Sequence, residues 1–344
     1  MSTVHGPTVH DETCRQVLRS TAAGTHVRFR LSNATSATPI RIGRLTAAIR
    51  TTGAATGPTT EVLTKGKVTV TLAPGAEVVT DQVLIPVHAG DDVAVSFAVR
   101  GPARLSAHMV GAATGWCSGR GTGDHTADSL ATAFLHGSRD GLVVESLEVQ
   151  APGTGRGVIA VGDSLTDAPL SPDTYQRWID VAAARTGRPV ANAAIAGNRV
   201  LLAGGYGPTV IKRFRRDVLD RPGADTVIVF AGTNDVSGGI SSSALTARLQ
   251  ELCRLAKTAH LRVVLVTLPP AWRRPAAQEA VRRQVNAWIR TTRAADAHID
   301  ADELLRDPAR PTHLLAEYDQ GDGLHLSAKG HAVLGEAAGS ALSA

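Results

Sequence analysis

Four short segments hold residue types whose chemistry is complementary. They are Gly162-Asp163-Ser164-Leu165, Ala196-Gly197-Asn198, Gly232-Thr233-Asn234-Asp235 and Asp322-Gly323-Leu324-His325. A serine hydroxyl is a weak nucleophile near neutral pH and needs a base to take its proton. An imidazole can be that base when a carboxylate orients it and stabilises its cation. Asp322 and His325, three residues apart, place both groups on one short segment. Attack on a carbonyl moves negative charge onto its oxygen, which fixed N–H donors stabilise. Glycine at 197 lets backbone approach a substrate closely, and the Asn234 amide offers two donors without adding charge. Alone, each segment has an ordinary explanation: a Ser after a strand caps a helix, and Gly-Asn makes a turn. Together, in order, they describe an acyl-transfer site.

These segments resemble the conserved blocks of the SGNH, or GDSL-type, esterase and lipase family. Ser164 matches the nucleophile of its first block, Gly197 the glycine of its second, Asn234 the asparagine of its third, and Asp322 with His325 its last. The resemblance covers roughly residues 157–344. It implies a Ser164–His325–Asp322 triad and an oxyanion hole of the Ser164 and Gly197 N–H groups with the Asn234 amide. Relatives of this subgroup often carry a proline after the His-containing segment, where Leu326 stands here. A weaker likeness joins His26–Asn33 and Pro39–Gly43 to the β-rich domain preceding the hydrolase domain in some actinobacterial members.

The elements that must position these groups change character along the chain. Residues 1–150 hold short runs bounded by Gly, Pro and Thr: Val27–Leu31, Ile40–Ile49, Val68–Leu72, Val83–Val87, Val93–Val99 and Leu142–Val149. In the first run Val27, Phe29 and Leu31 alternate with Arg28 and Arg30, the period of a half-buried strand. We expect an all-β sandwich here, of jelly-roll type. Phe29 and Phe97 are expected in its core, and Gly111–Asp128 reads as a long loop. Ala151–Gly157 is the expected linker. From 157 to 344, strands alternate with helices. Strands are predicted at Val158–Val161, Pro189–Ile195, Thr226–Ala231, Leu261–Leu268 and Ala297–Asp300. Helices are predicted at Asp173–Thr186, Ser242–His260, Ala276–Thr292 and Ser327–Leu342. This is an α/β, flavodoxin-like pattern: a parallel sheet with helices on both faces. Ligands in such sheets bind beyond the carboxyl ends of the strands, where the first three segments fall. That rim also makes Trp272, Arg273 and Arg274 candidates for substrate contact, or equally members of an ordinary rigid surface loop, and Tyr206 a further candidate.

Composition narrows the alternatives. The chain has 344 residues, 43% of them hydrophobic, long enough for two cores. A net charge of +5 is diffuse, so no nucleic-acid partner is expected. The densest basic run, Lys212–Arg216, precedes Asp217 and Asp220 and reads as a solvated helix face. Cys14, Cys117 and Cys253 are odd in number and unclustered, so each reads as a structural thiol. The His residues lack metal-ligand spacing, and no cofactor is expected. No apolar run reaches membrane-spanning length, and the first residues lack a signal-peptide pattern. These imply a cytoplasmic protein, or a secreted one if a leader was removed.

The expected activity is a metal-independent serine esterase acting on small or moderately sized esters, an acylated carbohydrate or metabolite among them. An acyltransferase using an alcohol acceptor shares the same acyl-enzyme. A glycan- or partner-binding protein with an inactive hydrolase domain is the third reading, opposed by the intact segments. Oligomeric state leaves no trace in the sequence.

Overall fold

The computed structural model describes residues 4–109, 111–151, 156–167 and 171–343. Most of the expected linker, residues 152–155, lies outside them. The chain divides into two compact units, one of Met1–Gly153 with Ser171–Thr174, the other of Thr154–Leu170 with Tyr175–Ala344.

The first unit contains two antiparallel sheets. The larger runs through His136–Ser138, Gly115–Cys117, Val4–Arg19, Asp92–His108, Ile40–Thr52 and Ala55–Thr56. The smaller joins Val144–Gln150, Gly24–Ser32 and Glu77–Val79, with Val83–Val87 also on Gly24–Ser32. The alternation in Gly24–Ser32 does what its period requires: Val27, Phe29 and Leu31 are buried. They share one core with Ile40, Ile42, Leu45, Val95, Phe97 and Val99 of the larger sheet. Arg28 and Arg30, on the other face, reach Glu148 of the adjacent strand.

Two expectations are corrected here. Cys14 and Cys117 are not free thiols but a disulfide. They are 103 residues apart in sequence yet opposite each other across neighbouring strands, with Cα atoms 4.0 Å apart. Their pairing depends on strand register, which a cysteine count cannot report. The bridge also shows that Gly111–Asp128 is partly sheet, through Gly115–Cys117. The longest omission is the strand Val4–Arg19, whose many polar residues hide its period. Buried Arg15 is tolerated there because Ser96 Oγ and the carbonyls of Ala54 and Asp128 accept its N–H groups, and its guanidinium lies 3.9 Å from the Phe134 ring centroid. Closing a loop of this length restricts the unfolded chain strongly. Cys14→Ser with Cys117→Ser should therefore lower the unfolding free energy of this unit by about 2–4 kcal/mol, measured by denaturant titration.

The second unit is a five-stranded parallel sheet ordered Val190–Asn192, Gly157–Gly162, Ala224–Phe230, Arg262–Val266, Ala297–Ile299. Numbered along the chain this is 2-1-3-4-5, the flavodoxin-like order, which reverses direction between the first and third strands. These strands are nearly continuous apolar runs because helices cover the sheet. The helix expected from Asp173 begins only at Trp178. Asp173 has φ +61° and its carboxylate is held by Arg50 and Thr114, so the backbone there is not helical. Among the described residues, no helix is long and apolar enough to cross a membrane.

Candidate active site

The first strand ends at Gly162, where a Cβ would collide with the Phe230 carbonyl of the third strand. The chain then turns at once. Asp163 accepts the Leu165 N–H at Oδ1, and its carbonyl accepts the N–H groups of Thr166 and Asp167. This one-turn helix, Ser164–Asp167, leaves Ser164 half-buried at the strand's carboxyl end. Thr166 Oγ1 accepts the indole N–H of buried Trp178, which anchors the turn from below.

The second and third strands carry loops fastened to this turn and to each other. Asp167 accepts the Ala196 N–H at 2.8 Å, fixing the backbone just before Gly197. Gly197 has φ +69°, and a Cβ there would stand 2.8 Å from the Tyr206 ring, so glycine is required twice over. Asp235 accepts three successive N–H groups, of Val200, Leu201 and Leu202. Asn234 Nδ2 donates to the Asn198 carbonyl at 3.0 Å, which spends one amide hydrogen on orientation and leaves the second available. Asp235 thus holds the loop after the second strand by hydrogen bonds. Asp167 has the same task and was missed, since nothing local distinguishes it from a surface acid.

The basic run Lys212–Arg216 is a further correction. Arg213 and Asp217 are buried, not solvated, and pair at 2.9 Å. Arg213 also donates to the carbonyls of Gly162 and Ala193 and to Asn198 Oδ1. A guanidinium with five fixed donors can knit three loop ends from inside, a use that charge counting cannot reveal.

Facing the turn is the segment before the last helix. Asp319 accepts the N–H groups of Gly321 and Gly323, and Gln320 donates to the His325 carbonyl. His325 Nε2 stands 2.8 Å from Ser164 Oγ. Its Nδ1 lies 2.6 Å from Asp322 Oδ2, while Asp322 Oδ1 accepts the backbone N–H groups of His325 and Leu324. Partial burial would push the Asp322 carboxyl up, but its bonds to the His325 side chain and to these N–H groups outweigh that and hold it at about 2. Asp322 is therefore charged throughout the neutral range. His331, on the helix behind, is pushed down to about 4 by burial and by Arg177, so it stays neutral. Leu326, the departure from the family pattern, is buried in the core beneath the sheet and leaves this loop's hydrogen bonds intact.

Of the remaining candidates Arg274 is a correction, since its side chain is buried with Nη1 3.9 Å from Glu279 and is not open to substrate; the others sit beside these groups. Trp272 is 47% exposed, and its indole occupies the space a Cβ on Gly323 would need, so it packs against the Asp322–His325 loop. It stacks on His313, ring centroids 6.0 Å apart, with Arg273 over its ring at 4.8 Å. Tyr206, half-exposed, rests on Gly197. The rim thus brings the four motif segments and both aromatic side chains into one neighbourhood. Among the described residues, no group of three or more His, Cys, Asp or Glu is placed to hold a metal ion.

Residues 160–333 match the GDSL-like Lipase/Acylhydrolase family. The chain belongs to that family. Its second unit is therefore a hydrolase of the SGNH type, preceded by a β-rich unit. Similar solved structures include a lipolytic protein of the G-D-S-L family from Desulfitobacterium hafniense (19% identity, 54% of this chain and 98% of that one, TM-score 0.46). Another is an acetyl-xylooligosaccharide esterase from Geobacillus Stearmophilus (19% identity, 56% and 96%, TM-score 0.43). A carbohydrate esterase family 2 enzyme with its carbohydrate binding domain, from Corynascus thermopiles, aligns over 95% of this chain and 94% of that one (17% identity, TM-score 0.46). A search of curated proteins returns no match.

Proposed function

We propose that this GDSL-family hydrolase is a serine ester hydrolase working through an acyl-enzyme on Ser164. The observation that carries the reading is the unbroken hydrogen-bonded series Asp322–His325–Ser164, 2.6 Å and 2.8 Å long at its two side-chain contacts. Its Nδ1–H held by Asp322, His325 presents a bare Nε2 to the Ser164 hydroxyl and can take its proton as Oγ attacks the ester carbonyl. The imidazolium then protonates the departing alcohol. Water, deprotonated by the same nitrogen, releases the acid and restores the serine. The Ser164 and Gly197 N–H groups and the second Asn234 amide hydrogen are the donors for the oxyanion, and the Asn198 carbonyl pre-orients the last of these. Asn234→Ala should lower kcat by about 10²–10³-fold with KM little changed, because this contact strengthens only in the transition state.

Small or moderately sized esters suit the surface. Among the described residues of this unit, the exposed large apolar side chains are Tyr206, Trp272 and Leu304, too few for a broad lipid-approach face. Trp272 and Tyr206 are then contacts for the alcohol or acyl group, with Arg273 beside them. The Cys14–Cys117 bridge favours an oxidising compartment over the cytoplasm. Hydrolysis of a p-nitrophenyl ester series from acetate to palmitate, with and without an alcohol acceptor, tests the reading. Rapid turnover of short chains supports it. Turnover confined to long-chain emulsions would overturn the substrate size, and transfer outrunning hydrolysis would make the enzyme an acyltransferase.

A further inference from the structure

The loop that carries the base is bonded almost wholly to itself. Among the described residues, every hydrogen bond of residues 320–325 closes within residues 319–325, apart from that of His325 Nε2 with Ser164 Oγ. Such bonds set the shape of the loop but not its place over the sheet. Its C-terminal end is anchored, since Leu326 is buried in the core. Beyond that anchor Asp322 and His325 are partly exposed, so water borders much of the arch.

Trp272 meets the middle of this loop from another element. Gly323, between Asp322 and His325, has φ +79°, and a Cβ there would fall on Cδ1 and Nε1 of the indole. The segment that presents the indole is rigid. Leu268, just beyond the fourth strand, has both its N–H and its carbonyl bonded to the Asn286 side chain, and Arg282 also donates to that carbonyl. Pro269 and Pro270 follow, buried and fixed in φ. A turn then closes across Trp272, from the Arg274 N–H to the Ala271 carbonyl at 3.0 Å, and the buried Arg274 side chain pins its far end near Glu279. His313 stacks on the indole with 13° between the ring planes, and Arg273 lies over it.

We propose that Trp272 is a positioning residue: its indole, laid on Gly323 from the pinned turn after the fourth strand, fixes the loop of residues 319–325 so that His325 stays within reach of Ser164. This rests on the serine-esterase reading for its kinetic consequence, not for the contact itself. The 2.6 Å bond of His325 to Asp322 lies inside the arch and moves with it, whereas the 2.8 Å contact to Ser164 crosses to another element. Rocking of the arch therefore spares the first and lengthens the second. Misplacement by about 1 Å at such a contact costs up to about 10²-fold in rate.

The test compares Trp272→Ala, Trp272→Phe, Gly323→Ala and the double variant Trp272→Ala with Gly323→Ala. Kinetics are followed from pH 5 to 9.5 with p-nitrophenyl acetate and ethyl acetate, and Ser164 is labelled with diisopropyl fluorophosphate. Trp272→Ala should lower kcat by about 10–10²-fold for both esters, with KM nearly unchanged, and slow labelling by a similar factor. In the labelling step Oγ displaces fluoride from phosphorus, so no departing alcohol is there for the indole to touch. The acid limb of kcat/KM should keep its wild-type pH, because Asp322 stays bonded to His325; a loop that lost its shape would shift it. Trp272→Phe, with a ring still on Gly323, should restore most of the rate. Gly323→Ala should lower kcat and the melting temperature in wild type, and lower both less once the indole is gone. A loss confined to KM or to the aryl ester would make Trp272 a substrate contact and overturn the proposal. A displaced acid limb, or losses in the double variant that simply multiply, would overturn it too. Failure of the esterase reading is seen separately, as wild type that is not labelled at Ser164, and the melting-temperature cycle then still judges the brace.

Discussion

Ser164→Ala should lower kcat/KM for p-nitrophenyl acetate by about 10⁴–10⁶-fold while leaving KM nearly unchanged. The size follows from what is lost. Among the described residues no other hydroxyl is bonded to His325 Nε2, so the base remains but has nothing to activate. Water could enter in place of Oγ, but it would attack without the positioning that the Ser164–Asp167 turn imposes. What survives is the stabilisation from the oxyanion donors and binding, worth about 10³-fold over the uncatalysed reaction. The melting temperature should stay within a few degrees, because Ser164 Oγ contributes no bond to the core. Burst kinetics supply the complement: wild type should release one equivalent of nitrophenol rapidly where deacylation limits, and the variant none. A variant that keeps its turnover would remove Ser164 from the reaction and the proposed mechanism with it.

Asp322→Asn should cost about 10³–10⁴-fold in kcat, although the change is one atom in a half-exposed loop. The backbone explains why. Asp322 Oδ1 accepts two N–H groups, from Leu324 and His325, and an asparagine oxygen can keep both. Doing so turns the amide NH₂ to where Oδ2 stood, 2.6 Å from His325 Nδ1. That NH₂ can only donate, so Nδ1 must be bare and the proton moves to Nε2, facing Ser164. The imidazole is then the wrong tautomer to act as a base. The loop itself should keep its conformation, and the melting temperature should change little. Asp322 is held at about 2, so its own titration does not shape the profile of wild type between pH 5 and 9. Equal losses in Asp322→Asn and Asp322→Ala would fit the tautomer argument. An Asp322→Asn enzyme near wild-type activity would show that the His325 tautomer is set elsewhere.

How much of this was legible beforehand differs from element to element. The parallel sheet was readable because its strands are apolar runs of strand length between amphipathic helices, a local pattern. The candidate site was readable because Ser164, Gly197 and Asn234 each follow a strand, and strand ends in such a sheet share a rim whatever their sequence separation. The core role of Phe29 and Phe97 came from alternation, which is equally local.

The rest required contacts between residues far apart. Val4–Arg19 is a strand because Asp92–His108 pairs along its length, not because its own residues alternate cleanly. Cys14 meets Cys117 through the same register. Arg213 and Asp217 look like surface charges until the loop ends they join are seen to converge on them. Trp272 could be named as a rim residue, but its place against Gly323 depends on how two loops pack. By itself, the sequence determined which elements form and which chemical groups they carry, since period and residue type are properties of a few adjacent residues. Tertiary structure alone decided which groups meet and which charges are buried, because these depend on long-range register and on the water each contact excludes.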